Sequence, residues 1–406
     1  MHVLFLGGVF DDSHNEEIVS KTRTYVEYAA NNFQKKIING LKENGIEPEV
    51  ISAPFLGSYP NAYSDLFFKG FNRKTIDISG YKYVHFLNLW GIRNFSRANS
   101  LKRAVKEFIC SKDRAKLIIV YTSHTPLIQA ANYAKRKDPN IRICLVVPDL
   151  PQYMNLADNV SKAYKILKKY DVKAFLKENR TVDSYVVLTK HMVNSLEVGN
   201  RPFEVIEGIY QSSSNWGEKK EDSCVKKIVY TGKLDRSFGI MNLVNAFMQI
   251  GNDNIRLLIC GSGEERNNVE IAAQRDPRIM YMGQVTSDQA RKIIVEGDIL
   301  VNPRQNNSEY TKYSFPSKII DYLATGNPVI AYKLDGMPDQ YEQFIEFVTD
   351  DSIEALQKSI EKVLSMDSNE IVERANKAMR YLSNVISEKE VAKKIIKIGL
   401  GQNKKA

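Results

Sequence analysis

The sequence has no apolar run near the ~20 residues that a membrane-spanning helix needs, so an integral membrane bundle is excluded. Its four cysteines, Cys110, Cys144, Cys224 and Cys260, are far apart and mostly lie in apolar runs. That spacing excludes a disulfide framework and a zinc finger, and predicts reduced core thiols. The five histidines, His2, His14, His85, His124 and His191, include no pair at metal-ligand spacing, and neither H-E-x-x-H nor D-x-D occurs. No metal site is expected. There is no Gly-x-Ser-x-Gly elbow and no P-loop, which removes the main support for a hydrolase or a P-loop ATPase. Gly261-Ser262-Gly263 lacks the third glycine of a dinucleotide fingerprint, so a nicotinamide cofactor is not expected. The opening MHVLFLGGVFDDS has no basic region and no cleavage site, and reads as a buried strand running into a glycine turn rather than a signal peptide.

What is present is an ordinary globular composition: 406 residues, 43% hydrophobic and 26% charged. That length suggests two domains. The net charge of +9 suits a phosphate-bearing ligand, an anionic membrane or nucleic acid, and selects none of them. Strand-like runs alternate with amphipathic segments. HVLFLGG, PEVISAP, YVHFLNLW, KLIIVYTSH, IRICLVVPD, SYVVLT and FEVIEG fall in the first half, with a long helix near 23–44. After a polar, turn-rich linker at 211–224 come KKIVYTG, IRLLICGSG, RIMYMG, DILVNP, PVIAY and EFVT. Helices are predicted over 239–250, 264–275, 286–296, 352–364, 368–384 and 387–399. Near-continuous Val/Ile/Leu runs separated by helices indicate parallel sheets covered on both faces. The fold class is therefore α/β, with two doubly wound Rossmann-like domains. Ligands of such sheets bind beyond the strand C-termini, and the cleft between two such domains is the expected site.

Residues 314–331, SFPSKIIDYLATGNPVIA, read as a helix capped by Ser314, with Pro316 in its first turn, then a left-handed stop at Gly326 and a buried strand. Lys318 stands in the first turn, where the helix already carries partial positive charge. Either it bends into solvent, or an anion is shared between the helix end and the ammonium. Glycines also end the strands of this half, at Gly232, Gly261-Ser262-Gly263 and Gly283, where backbone N–H groups can approach a phosphate. Gly7-Gly8 does the same for the first strand. Lys233, directly after Gly232, is a solvated turn lysine or, with Lys318, half of a diphosphate clamp. Asp321 is placed to accept ribose hydroxyls or to pair with Lys318. The basic segment 164–180 is a solvated helix face or a rest for anionic lipid.

The stretches YTGKLDRSFGIMNLVNAF (230–247), LLICGSGEE (257–265) and FPSKIIDYLATGNPVIAY (315–332), in this order, resemble the donor domain of family 4 (group 1) glycosyltransferases of the GT-B fold. The first half is more loosely similar, through LGG, VVPDLPQYM (146–154) and VDSYVVLTKHM (182–192). The likeness is to members that build bacterial capsule and exopolysaccharide. It implies retaining, metal-independent transfer of a hexose from a nucleotide diphosphate sugar, with a UDP-sugar favoured as co-substrate and no further cofactor. The acceptor would be a saccharide, soluble or lipid-linked, and the expected location is cytoplasmic, with peripheral contact to an anionic inner membrane face and no nucleic-acid partner. By the same resemblance Lys233 contacts the diphosphate. The segment Tyr313, Ser314, Pro316, Ser317, Lys318 and Asp321 binds the donor, with Tyr313 and Asp321 where the family has the two glutamates of E-x7-E. Phe238 replaces the lysine that usually precedes Gly239, so Lys318 is assigned part of that cationic work. Gly8 would bring the first domain's backbone to the diphosphate or acceptor. The family's His-Asp pair is Pro148-Asp149, which leaves His124, Asp149 and Glu309 as candidates at the reacting sugar. The expected domains are 1–208, joined by a returning helix over about 382–406, and 209–381. Two other readings stay open: a non-catalytic GT-B partner of a transferase, motivated by the degenerate E-x7-E, and a nucleotide-sugar epimerase.

Overall fold

The computed structural model describes residues 1–71, 80–111, 113, 115–153, 162–212 and 224–402, with backbone alone over 162–167. Most of the expected linker and Met154 lie outside these residues, and the basic 164–180 segment is described without side chains as far as 167. The chain forms two compact units, Met1–Ile209 with Glu388–Ala406, and Tyr210–Ser387.

The first unit holds β1 (His2–Gly7), β2 (Glu49–Ser52), β3 (Phe67–Phe68), β4 (Tyr81–Tyr83), β5 (Phe86–Leu87), β6 (Lys116–Tyr121), β7 (Ile141–Val147), β8 (Ser184–Val187) and β9 (Phe203–Val205). Its helices are α1 (Asn15–Lys21), α2 (Tyr28–Glu43), α3 (Arg93–Ala104), α4 (Lys106–Ile109), α5 (Thr125–Lys137), α6 (Lys162–Asn179) and α7 (Met192–Ser195). Seven strands make a sheet of order β4-β2-β1-β6-β7-β8-β9, parallel throughout. β6 is buried at every residue, as a central strand covered on both faces must be. YVHFLNLW is not one strand. Tyr81–Tyr83 joins the sheet, while Phe86–Leu87 turns away to pair antiparallel with Phe67–Phe68. Exposed His85 marks the break, because a strand buried on both faces has no place for it.

The second unit holds β10 (Lys226–Thr231), α8 (Ile240–Met248), β11 (Ile255–Cys260), α9 (Arg266–Arg275), β12 (Ile279–Tyr281), α10 (Ser287–Val295), β13 (Ile299–Asn302), α11 (Lys318–Leu323), β14 (Val329–Ala331), β15 (Ile345–Phe347), α12 (Ile353–Leu364) and α13 (Ser368–Val385). Its sheet runs β12-β11-β10-β13-β14-β15, again parallel. Leu243, Val244 and Phe247 of α8 are fully buried with Ile228, Leu257 and Ile259 of the sheet, and each such side chain contributes roughly 1.5–3 kcal/mol. α14 (Glu388–Gly399) belongs to the first unit and packs on α2. In both sheets the strand order reverses beside the first strand, between β1 and β6 and between β10 and β13. Those two points, at the strand C-termini, are where a doubly wound sheet opens a crevice for ligand.

Two local expectations are corrected. Ser314 does not cap the helix: it is extended, and α11 starts at Lys318 after Ser317, which makes no side-chain cap bond. A short 3-10 turn at Glu309–Tyr313 ends just before Ser314 and holds it out of the helix. Of the cysteines, Cys144 and Cys260 are buried in strands, but Cys110 and Cys224 are exposed. Both lie outside strands: Cys110 ends the short α4 and Cys224 ends the polar linker, so neither is carried into a buried sheet face. Among the described residues no helix is long and apolar enough to cross a membrane.

Candidate functional site

The site of the second unit is built from the ends of β10, β11 and β13. Three strand-end glycines are tied side by side: Gly232 donates its N–H to the Cys260 carbonyl (2.9 Å) and Gly261 to that of Gly283 (2.8 Å). Gly261 has φ +144°, and a Cβ there would lie 1.7 Å from the Gly232 carbonyl oxygen, so no other residue fits. The loops that follow zip together through Leu234 N–H to the Ser262 carbonyl (3.0 Å) and Glu265 N–H to that of Leu234 (2.8 Å).

α11 is fastened to this rim by one face. Lys318 and Tyr322, four residues apart and so on the same side, both reach Thr231 at the end of β10. The buried Tyr322 hydroxyl accepts the Thr231 N–H (3.0 Å), and the Lys318 ammonium donates to Thr231 Oγ1 (3.3 Å). Burial holds the Lys318 pKa below that of a free lysine, while Asp321 and Cys260 pull it the other way. The Cys260 thiol is pushed up to about 11 by burial, opposed by Lys318. The ammonium thus lies over the ends of β10 and β11, desolvated, with a neutral hydroxyl as its hydrogen-bond partner. A desolvated cation held this way favours further negative charge nearby, of the kind an anionic ligand carries.

Lys233 is exposed, and its carbonyl accepts the Tyr230 hydroxyl (2.5 Å), which fixes the backbone and leaves the ammonium in solvent. Gly263 abuts Leu234 and Asp235, and Ser262 donates weakly to Gln284 (3.4 Å). Asp321 and Tyr313 are half-buried, Pro316 likewise, while Ser317 and Glu309 are exposed. Ser314 is buried and its Oγ has no hydrogen-bond partner.

Sequence reasoning missed Arg304. Gly239 is left-handed at φ +71°, and a Cβ there would stand 2.0 Å from the Pro303 carbonyl oxygen, so the chain after β13 lies against the start of α8. That contact lays the Arg304 guanidinium over the rings of Phe238 and Tyr310, 5.5 Å from each centroid. Burial lowers its pKa, and it makes no ion pair with a described carboxylate. A cation therefore does stand beside Phe238, supplied from a distant loop. No periodicity marks such a residue. Thr231 and Tyr322 were within reach of sequence reasoning, as the neighbour of Gly232 and the i+4 partner of Lys318.

In the first unit, Gly8 does not open to a ligand as expected. Its N–H is taken by Gln34 Oε1 (2.8 Å), and a Cβ on it would lie 2.7 Å from the Phe55 ring. The glycine makes room for the protein's own side chain. Phe55 in turn meets His124 edge-on at 5.8 Å. His124 precedes α5, and its buried Nδ1 has no hydrogen-bond partner. Burial, then the charges of Arg97, Arg93 and Lys168, hold its pKa well below that of an ordinary histidine, so the imidazole is neutral. Asp149 is exposed at the end of β7, and its carbonyl accepts the Ser123 hydroxyl (3.1 Å). The two candidates thus come to neighbouring strand ends.

Residues 225–366 match the family described as Glycosyl transferases group 1. The chain carries a group 1 glycosyl transferase domain. By that domain it is a glycosyltransferase, and the match takes in Gly232, Lys233, Gly261, Arg304, Lys318 and Asp321. No curated protein sequence matches the chain. Solved structures do. HepE from Anabaena in complex with UDP superposes with a TM-score of 0.62 at 12% identity, over 98% of this chain and 99% of that one. A glycosyltransferase from Rickettsia africae gives 0.63 at 14%, over 99% of each. S. aureus TarM, bound to Fondaparinux, alpha-GlcNAc-glycerol and UDP, gives 0.57 at 10%, over 98% and 99%. At these identities the likeness is one of fold, and the fold is GT-B.

Proposed function

We propose that the protein transfers a hexose, with retention of anomeric configuration and without a metal ion, from a nucleotide diphosphate sugar to a saccharide acceptor. A UDP-sugar is the favoured donor and a lipid-linked glycan of a bacterial capsule or exopolysaccharide the favoured acceptor, used at the cytoplasmic membrane face. The observation that carries the reading is Lys318: desolvated, bonded to a hydroxyl, and set over the C-terminal ends of β10 and β11 in the glycosyl transferase domain. Departure of the nucleotide diphosphate leaves extra negative charge on the bridging oxygen as the sugar becomes oxocarbenium-like. Fixed cations in a water-poor site stabilise that charge at no cost of reorganisation. Lys318 and Arg304 are assigned to it, with the exposed Lys233 as a third contact. The expected N–H contacts from Gly232 and Gly261 are not assigned, because both N–H groups are held by neighbouring strand-end carbonyls; Asp321 is assigned to the ribose. His124, Asp149 and Glu309 are assigned to the sugar, His124 as a neutral hydrogen-bonding group rather than an acid.

Two UDP-complexed structures share the fold, which supports the choice of nucleotide. The test is a panel of nucleotide sugars incubated with a lipid-diphosphate saccharide in the presence of EDTA. The expected product is one glycan extended by one residue, with the donor's anomeric configuration by NMR. Inverted product, or transfer abolished by EDTA and restored by magnesium, refutes the mechanism. An epimerised donor as sole product refutes the reaction class.

A further inference from the structure

The first unit exposes apolar side chains that its own core does not need. Phe95 is 71% exposed, Trp90 56% and Phe67 54%, with Ile92 and Leu66 also exposed. They form one patch. Phe67 pairs with Leu87 across β3 and β5, the Asn88 N–H meets the Leu66 carbonyl (2.7 Å), and the Ile92 N–H meets that of Leu89 (3.2 Å). The turn carrying Trp90 therefore sits between the β3–β5 ribbon and the start of α3. Contiguous exposed patches of this kind mark interaction sites rather than ordinary surface.

The patch is held rigidly. On the inner side of α3, buried Arg97 lies over the Phe86 ring at 4.3 Å and donates to the Pro54 carbonyl (2.7 Å), while Ala98 and Leu101 are buried. Arg93 donates to the Leu56 carbonyl (2.8 Å). The outer side begins with Ile92 and Phe95 and continues, at helical spacing, into Lys102 and Arg103. From Gly80 to Lys106 the sequence contains no aspartate or glutamate. The flanking carboxylates, Asp65 and Glu107, are each paired with a lysine, Lys21 (2.9 Å) and Lys82 (2.7 Å). Apolar tips beside a basic stripe whose neighbouring carboxylates are ion-paired fit the two layers of an anionic bilayer surface: aromatics at the acyl boundary, cations among the headgroups. A protein partner of matching chemistry would need an acidic rim around an apolar socket, and nothing in the patch specifies such a shape.

We infer that the Trp90–Phe95 turn and the outer face of α3 dock the protein on an anionic phospholipid bilayer. This rests on the proposed function in its choice of a lipid surface, and it places the contact on α3 rather than on the basic 164–180 segment, whose described part exposes one aromatic, Tyr170. The test uses the full chain with Trp216→Phe, so that Trp90 is the sole tryptophan, and vesicles of phosphatidylcholine with or without phosphatidylglycerol, free of any sugar acceptor. The expected result is a blue shift of Trp90 emission and co-sedimentation with the anionic vesicles, weakened by salt. Adding Ile92→Ser and Phe95→Ser should weaken partitioning about tenfold or more, with the thermal transition unchanged. Absence of binding, or equal binding by the serine variant, overturns the inference. So does a concentration-dependent blue shift without vesicles, which would assign the patch to a second copy of the chain. Because no donor or acceptor is present, failure of the transfer assay and failure of docking are read separately.

Discussion

Replacing Lys318 by methionine removes a buried charge and keeps most of the stem. In the unliganded protein the ammonium is desolvated and bonded to the Thr231 hydroxyl at 3.3 Å, so its loss should leave stability unchanged or raise it by ~1 kcal/mol. In the complex, a charge-assisted bond to the diphosphate is lost, at a cost of about 1.5–3 kcal/mol, or roughly 10- to 150-fold in Kd. Calorimetric titration of UDP and GDP into wild type and Lys318→Met measures this, with a thermal melt on the same samples. UDP affinity within twofold of wild type refutes the clamp. The pH dependence has a fixed sign. The folded pKa of Lys318 lies below its unfolded value of 10.5, so the unfolded chain binds more protons between the two. The burial penalty is full below the folded pKa and is relieved as pH rises to 10.5. Bound diphosphate favours the charged amine, so affinity should fall with rising pH in that window, and the methionine variant should not show the fall.

Arg304→Gln should weaken UDP binding about tenfold, and Arg304→Lys should restore little of it, because a compact ammonium cannot reproduce the flat cation stacked on Phe238 and Tyr310; equal titrations for all three proteins would remove Arg304 from the site. Gly261→Ala forces a Cβ to 1.7 Å from the Gly232 carbonyl, so urea denaturation should show a loss of ~3 kcal/mol or more, and a loss under 1 kcal/mol would mean the strand ends are looser than described. Glu388, buried at the start of α14, has its pKa pushed up to about 7, by burial first and then by Glu43. Its stabilising contribution is full below the unfolded value of 4.5 and is lost as pH rises through 7, roughly 2–3 kcal/mol in all. Glu388→Gln should therefore match wild type near pH 4.5 and exceed it at pH 8 in denaturant melts; parallel stability curves would refute this.

The alternating pattern carried both sheets because buried parallel strands and amphipathic helices differ in period and in residue type. Helices such as Ser287–Val295, with Thr286 capping and Gln289 closing the box, are fixed by local chemistry and lie within a residue or two of their expected ends. What sequence could not supply was contact across loops. Gly8 looked like a ligand glycine, yet it meets Phe55. Ser314 looked like a cap, yet a 3-10 turn precedes it. Arg304 reaches Phe238 through the close approach of Pro303 to Gly239, a contact between residues more than sixty positions apart. The family resemblance identified Phe238 as a missing cation, and the three-dimensional packing showed where a cation stands instead.

The placement of α14 has a consequence for how the chain is made. Val391, Ala392 and Ile395 are buried with Ile37, Ile38 and Leu41 of α2, and Gly40 is a glycine because a Cβ would strike the Glu388 carbonyl at 2.0 Å. During synthesis the second unit, Tyr210–Ser387, has all of its own residues before α14 leaves the ribosome. The first unit emerges earlier but waits, with one apolar helix face uncovered, until the whole of the second has passed. At ~5–20 residues per second that interval lasts on the order of ten seconds or more. The part of the protein translated first is thus the part finished last, and its exposed α2 face is the surface a chaperone would meet.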